Sequence, residues 1–128
     1  MNKKIVSTPK APGAVGPYSQ AVVIEEHNLI FVSGQIGMNP QTKEIVRGGT
    51  TEETKQALEN MKNILESCGS GLDKVVKTTV FMKDLDDFGL MNEAYSGFFK
   101  ENPPARSTVE VEGLPKGAKV EIEAIALI

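Results

Sequence analysis

The sequence predicts an α+β fold, in which a single mixed β-sheet of about six strands carries two helices on one face. Short runs rich in Val, Ile and Thr recur along the chain and are typical of strands. Two longer segments carry apolar residues at helical spacing. The segments follow one another in the mixed order βββαβαββ, which favours the α+β class, and the 128 residues suit a single domain, 1–128.

The first three strands occupy the N-terminal part of the chain. KKIVST begins the series, and the Pro/Gly-rich PKAPGAVGPYSQ indicates an irregular loop. AVVIEE and LIFVSGQI indicate two strands joined by a polar turn at His27 and Asn28. GMNPQTKEIVRGGT then indicates a loop with a turn at Asn39 and Pro40. We therefore expect the lone histidine on the surface, in a turn, and not in a catalytic triad.

The first helix has the clearest pattern of any element. Its apolar side chains recur at i, i+1, i+4, i+7, i+8 and i+11, which places them in one stripe. They are Ala57, Leu58, Met61, Ile64, Leu65 and Cys68. Thr50 and Glu53 form a capping-box pattern, and Gly69 is expected to end the helix. Because Cys68 belongs to the stripe, we interpret it as a small core residue and not as a nucleophile.

The second half of the chain contains a strand, a helix and two further strands. DKVVKTTVFMKD is strand-like, and Asp86 or Asp87 is expected to cap a second helix that runs to about Lys100. The expected buried side of this helix consists of Phe88, Met91, Tyr95, Phe98 and Phe99. ARSTVEV and KVEIEAIALI then complete the sheet. Two helices cover only one face of such a sheet, so we expect self-association through the other face, which is still partly apolar.

The last two strands would gather charge around Arg106 if they formed an antiparallel hairpin. In the register favoured by burial, Val109 faces Val120. Arg106 then lies opposite Glu123 and diagonal to Glu121. From this pattern alone, two interpretations stay open. The first is a structural Arg–Glu pair on a solvated sheet face. The second is a carboxylate-binding site in which a glutamate acts as acid or base.

Composition disfavours several classes of protein. The net charge is −3 and no Lys/Arg block occurs, so nucleic-acid binding is not expected. One His and one Cys are too few for a zinc site, and no phosphate-binding glycine motif is present, so we predict neither a metal nor a cofactor. No apolar run approaches the roughly 20 residues of a membrane span, and no signal peptide is expected. A single cysteine fits a reducing compartment, and we expect a cytoplasmic protein.

Five segments in order along the chain resemble the RidA family, also called YjgF/YER057c/UK114. They are GPYSQA (16–21), VSGQIG (32–37), KTTVFMKDL (77–85), MNEAY (91–95) and PARSTVEVEGLPKGAKVEIEAIA (104–126). The resemblance implies a chorismate-mutase-like fold and a homotrimer with a site in each subunit interface. It also implies a cofactor-independent deaminase that hydrolyses 2-iminopropanoate, 2-iminobutanoate and their enamine tautomers to 2-oxo acids and ammonia. Pyridoxal-phosphate-dependent dehydratases acting on serine and threonine release these intermediates.

The same resemblance implies a set of site residues. Arg106 corresponds to the carboxylate clamp and Glu121 to the residue that positions or activates water. The substrate-binding residues implied beside them are Tyr18, Ser33, Gly34, Asn92 and Thr108. Thr108 stands where many relatives have cysteine, which removes thiol chemistry but leaves imine hydrolysis intact. Two alternatives stay open: an endoribonuclease or translation inhibitor, and a non-catalytic sensor of small 2-oxo carboxylic acids.

Overall fold

Six strands and two helices follow one another in the order βββαβαββ in a computed structural model that describes residues 2–128. The strands are β1 (Lys3–Val6), β2 (Ala21–Ile24), β3 (Leu29–Ile36), β4 (Val75–Met82), β5 (Ala105–Glu110) and β6 (Val120–Leu127). The helices are α1 (Gly49–Ser67) and α2 (Phe88–Ser96). The predicted fold class is confirmed, with a single mixed sheet and both helices on one of its faces.

The strands lie in the spatial order β1-β2-β3-β6-β4-β5. Every neighbouring pair is antiparallel except β4 and β5, which run parallel and are connected through α2. The predicted hairpin of the last two strands is therefore wrong, because β6 lies between β3 and β4. Burial explains this position: every second residue of β6 is buried, whereas no residue of β5 is, so β6 takes the centre and β5 an edge.

The core lies between the sheet and α1. The predicted stripe of α1 is confirmed, since Ala57, Leu58, Met61, Ile64 and Leu65 are all fully buried. Cys68 packs half-buried at the end of this stripe, and burial raises the pKa of its thiol. A raised pKa disfavours the thiolate, which supports the interpretation of Cys68 as a core residue. Gly69 follows with a φ of 82° and ends the helix as predicted.

The predicted capping box at the start of α1 is wrong. The helix begins at Gly49, so Thr50 already lies in its first turn. The Thr50 hydroxyl donates to Asp87 Oδ2 at 2.8 Å, and Glu53 Oε1 accepts a hydrogen bond from the Lys119 amide at 2.8 Å. Both side chains therefore connect α1 to other elements of the fold and do not cap it.

The second helix is shorter than predicted. It ends at Ser96, before Gly97, whose helix propensity is low, and no side-chain hydrogen bond from Asp87 caps its start. Met91, Tyr95 and Phe99 are buried as predicted. Phe98 is only half-buried, and Phe88 is 39% exposed. Both are corrections to the expected buried side.

The face of the sheet without helices, here called the bare face, carries exposed apolar side chains. Phe31 of β3 is 44% exposed, Val109 of β5 is 42% exposed and Leu127 of β6 is 38% exposed.

His27 is also exposed, in the turn between β2 and β3 where the sequence predicts it. Across residues 2–128, no helix combines the length and the hydropathy needed to cross a bilayer.

Candidate active site

The seven site candidates separate into two groups on opposite faces of the sheet. The first group lies at the β5 edge, on the helix-covered face. The second lies on the bare face, near the end of β3 and the start of β6. The first group is Arg106, Thr108 and Asn92, and the second is Tyr18, Ser33, Gly34 and Glu121. Within one chain the sheet keeps the two groups apart.

Strand register places Arg106 on the helix side. Arg106 is the partner of Thr78 in the parallel β4–β5 ladder. Thr78 is fully buried and its hydroxyl lies 2.7 Å from the hydroxyl of Tyr95 in α2. Because paired residues point to the same face, the Arg106 side chain also points toward α2.

The two glutamates of β6 point the other way. Glu121 is the partner of Phe81 and Glu123 is the partner of Thr79, whereas the alternate residues of β6 are buried under α1. Neither glutamate is paired with Arg106. The predicted placement of Arg106 opposite Glu123 and diagonal to Glu121 is therefore wrong, because it depended on the hairpin that does not form.

The guanidinium of Arg106 lies over two aromatic rings. Its Cζ lies 4.7 Å from the ring centroid of Tyr95 and 5.6 Å from that of Phe88. Within residues 2–128, no carboxylate oxygen lies within 4.0 Å of its nitrogens; the ion pairs there involve lysines. A half-buried guanidinium without an acid partner can bind an external carboxylate with two parallel hydrogen bonds.

Asn92 and Thr108 lie on the same faces of their elements as the residues around this guanidinium. Asn92 lies four residues after Phe88 and three before Tyr95, so the three share one side of α2. Thr108 follows Arg106 by two residues in β5 and shares its face of the sheet. Asn92 is exposed and Thr108 is half-buried, so both are accessible for contact with a ligand.

Glu121 forms one wall of a hollow of about 100 Å³ on the bare face. Its carboxyl group lies against the backbone of Gly34. A Cβ at position 34 would lie 2.8 Å from Glu121 Cδ and 2.9 Å from Oε2. Glycine is therefore required for this approach. Tyr18 and Lys116 line the same hollow.

The Glu121 carboxyl is tuned by its surroundings. Burial raises its pKa, and the negative charge of Glu123, on the same face of β6, raises it further. A carboxylate with a raised pKa is a stronger base than an ordinary glutamate. Glu121 is therefore suited to accept a proton from water.

The loop before β2 carries Tyr18 to this hollow. The Tyr18 hydroxyl accepts a hydrogen bond from the Val15 amide at 3.3 Å, and the side chain is 51% exposed. The buried amide of Gln20 anchors the loop. It accepts from the Thr8 amide at 2.6 Å and donates to the carbonyls of Thr8 and Pro12 at 3.0 and 2.9 Å.

Ser33 connects β3 to the same loop. Its hydroxyl donates to the Ser19 carbonyl at 2.6 Å, and its amide donates to the Gln20 carbonyl at 2.9 Å. Ser33 also borders a second, more open hollow of about 280 Å³ beside Lys77 and Glu123. The structure therefore gives Ser33 a positioning contact in addition to its exposure on the bare face.

Three residues near the site are absent from the set of site residues predicted from sequence. Phe88 and Tyr95 were expected only as core residues, although their spacing from Asn92 was available as a signal. Gln20 lies in the quoted segment GPYSQA, but no local pattern predicts that this amide is buried. For metals, residues 2–128 contain no group of three or more His, Cys, Asp or Glu side chains placed to hold an ion.

Comparison with known proteins identifies the family. Residues 8–128 match the family model described as Endoribonuclease L-PSP. The human protein named 2-iminobutanoate/2-iminopropanoate deaminase is 51% identical over 125 residues, covering 98% of this chain and 90% of that protein.

Solved structures agree with this comparison. RidA from an Antarctic Psychrobacter species is 44% identical, with a TM-score of 0.92 and coverage of 98% of this chain and 99% of that one. Escherichia coli TdcF, solved with bound serine, is also 44% identical, with a TM-score of 0.92 and coverage of 98% of both chains. The chain therefore belongs to the RidA family.

Proposed function

We propose that this protein is a 2-iminobutanoate/2-iminopropanoate deaminase, as its human relative is named. It hydrolyses short 2-imino acids and their enamine tautomers to 2-oxo acids and ammonia. The observation that carries the proposal is the Arg106 guanidinium, which is half-buried, stacked on aromatic rings and without an acid partner among residues 2–128. The substrate carboxylate supplies the missing partner.

In this proposal the active site forms between two copies of the chain. Arg106 and Glu121 lie on opposite faces of one sheet, so Glu121 comes from the neighbouring copy. The exposed apolar residues of the bare face support such an assembly. A head-to-tail arrangement of three copies closes a ring with three equivalent sites, which gives a homotrimer.

The chemistry follows from this pairing. Arg106 fixes the substrate carboxylate and brings the imine carbon next to a water molecule held by Glu121 of the neighbouring copy. Glu121 accepts a proton from the water as its oxygen attacks the carbon, and the proton passes to nitrogen. The hydroxyl of the resulting carbinolamine then gives its proton to Glu121, which passes a proton to the amino nitrogen as the C–N bond breaks. This step forms the carbonyl of the 2-oxo acid and releases ammonia. Orientation of this kind supplies several kcal/mol of barrier reduction, up to about 7–11 in ideal intramolecular cases.

The other candidates complete the pocket. Asn92 and Thr108 come from the copy that supplies Arg106 and bind the substrate through polar side-chain or backbone groups. Tyr18, Ser33 and Gly34 come with Glu121, so Tyr18 lines the pocket and Gly34 brings backbone close to the ligand. The solved relative with bound serine supports a pocket for small molecules that carry a carboxylate.

No redox step occurs in this reaction, and side chains with one water molecule are sufficient for it. The proposed substrates are small imino acids released by pyridoxal-phosphate-dependent dehydratases. We place the enzyme in the cytoplasm, where the unpaired Cys68 stays reduced.

A coupled assay tests the function. Threonine dehydratase acting on threonine generates the imine, and semicarbazide traps whatever the protein does not hydrolyse. Arg106→Ala is expected to abolish the acceleration because the neutral groups of Asn92 and Thr108 cannot replace the charged fork that binds the carboxylate. Arg47→Ala is the matched control, since Arg47 is exposed and is the other of the two arginines in the chain. A fully active Arg106→Ala protein would refute the mechanism.

The same assay separates the alternatives. A non-catalytic sensor would bind 2-oxobutanoate, measured by calorimetry, without reducing the semicarbazide product. An endoribonuclease would cleave RNA in a manner that depends on Arg106, whereas a contaminating nuclease would be unaffected by the mutation. We expect no such cleavage, because the single histidine lies exposed in a turn beside Glu25 and Glu26, outside both groups of site residues.

A further inference from the structure

The Arg106 guanidinium lies beside the ring of Tyr95, a buried residue of α2. Tyr95 is 5% exposed, and its ring provides the nearer of the two aromatic faces beside the guanidinium, at 4.7 Å against 5.6 Å for Phe88. An aromatic face attracts a guanidinium, and this attraction restricts motion of the guanidinium away from the ring. The edges that carry the N–H donors stay available for a carboxylate.

Contacts on two other sides hold the Tyr95 ring. Its hydroxyl meets Thr78 Oγ1 at 2.7 Å, and Thr78 is the β4 partner of Arg106 in the sheet register. The ring also packs on Phe99, with centroids 4.7 Å apart and the planes tilted by 39°. Tyr95 thus connects α2 with the two strands on which the position of Arg106 depends.

Charge supports the same arrangement. Burial raises the pKa of the Tyr95 hydroxyl, while the hydrogen bond with Thr78 and the positive charge of Arg106 oppose this rise. The phenol therefore stays neutral in the pH range where imine hydrolysis is measured. A neutral ring offers Arg106 an aromatic face and no competing anion, which leaves the guanidinium charge for the ligand.

We propose that Tyr95 is a positioning residue for Arg106: its ring orients the guanidinium so that both parallel N–H donors face the substrate carboxylate. The inference rests on the proposed deaminase function. Loss of the ring would leave Arg106 present but mobile, so carboxylate binding would weaken in the ground state and the transition state alike. Such a loss appears mainly in KM.

Three substitutions separate positioning from general stability. Tyr95→Leu removes the aromatic face and should raise KM about tenfold, with kcat changed less than about threefold. Tyr95→Phe keeps the face and should raise KM no more than about threefold, although the Thr78 bond is lost. Phe99→Leu is the control, because leucine keeps an apolar side chain packed against Tyr95 and the hydrogen bond with Thr78 still holds the ring. It should lower stability and leave KM unchanged.

A spectroscopic measurement tests the stack without reference to activity. The chain has two arginines, Arg47 and Arg106, so a ¹H–¹⁵N spectrum contains two side-chain Nε–H signals. Arg106→Ala identifies the Arg106 signal. We expect it upfield of the Arg47 signal through the ring current, unchanged in position by Phe99→Leu and shifted toward the Arg47 position by Tyr95→Leu, which removes the nearer of the two rings.

The kinetic and spectroscopic measurements together distinguish failure of the positioning role from failure of the proposed function. Tyr95→Leu with wild-type KM and an unshifted Arg106 signal would overturn the positioning role, as would Phe99→Leu raising KM equally. Full activity of Arg106→Ala would instead refute the proposed function, and the Nε–H comparison would still decide whether Tyr95 orders Arg106.

Discussion

At the scale of single residues, the proposed chemistry depends on two side chains in opposite electrostatic settings. Arg106 keeps its charge on the helix side without an acid partner among residues 2–128. Glu121 sits half-buried against Gly34, and the pKa of its carboxyl is raised first by burial and then by the charge of Glu123. Arg106 is therefore suited to bind an anion, and Glu121 is suited to accept a proton.

A pH profile tests the role of Glu121. Its base form is lost as the pH falls through its raised pKa, so the acid limb of kcat/KM should lie above that of an ordinary glutamate. Glu123→Gln removes the like charge, lowers the pKa of Glu121 and should move this limb to lower pH. The limb should remain above the ordinary glutamate value, because burial is the larger cause. Glu66→Gln, an exposed change on α1, is the control. Superimposable wild-type and Glu123→Gln profiles would contradict the assignment.

At the scale of elements, α1 braces both walls of the Glu121 hollow. The fully buried Asn60 donates from Nδ2 to the carbonyls of Ile36 and Met38, at 3.3 and 2.9 Å. One side of the hollow is thereby fixed. Glu53 holds the Lys119 amide just before β6 and so fixes the strand that carries Glu121.

Substitution of Asn60 should lower the free energy of unfolding. Asn60→Ala leaves the buried Met38 carbonyl without a donor and removes one of the two donors to the Ile36 carbonyl, which keeps its hydrogen bond from the Met38 amide. The substitution should lower the free energy of unfolding by about 2 kcal/mol. Asn63→Ala is a matched control on the same helix, since Asn63 makes one exposed hydrogen bond to the Lys10 carbonyl, and should cost less than about 1 kcal/mol. Urea unfolding at one protein concentration measures both. Equal effects of the two substitutions would show that α1 does not brace the hollow through Asn60.

The same scale shows what could be predicted from sequence. The stripe from Ala57 to Leu65 follows from local periodicity, and the order of elements follows from local composition. Which strands become neighbours is not local, so the pairing of Arg106 with Thr78 in place of Glu123 was missed. The site residues came from motif resemblance. The division of these residues between two faces follows from register and could not be derived from the motifs.

At the scale of the whole molecule, the bare face links assembly to activity. In the proposed trimer the exposed Phe31, Val109 and Leu127 become buried, and the two groups of site residues meet across subunits. A single copy holds each half of the proposed site but no complete one. If the proposed trimer forms the site, assembly is a condition for catalysis and not only for stability.

Disruption of the bare face should dissociate the protein. Phe31→Glu places a charge in the proposed interface, so light scattering after gel filtration should show a smaller species than wild type, together with a loss of deaminase activity. Leu90→Glu is the control, because Leu90 is 50% exposed on α2, away from the bare face. It should leave mass and activity unchanged. A Phe31→Glu protein of wild-type mass would contradict the proposed interface.

The most direct test of the shared site mixes two inactive variants. Arg106→Ala and Glu121→Gln are each expected to lack deaminase activity. Refolded together in equal amounts, they should recover about one quarter of wild-type activity, because one site in four then pairs an intact Arg106 with an intact Glu121 from its neighbour. Each variant refolded alone should stay inactive. A mixture no more active than its separate components, although mixed oligomers have formed, would contradict a site shared between subunits.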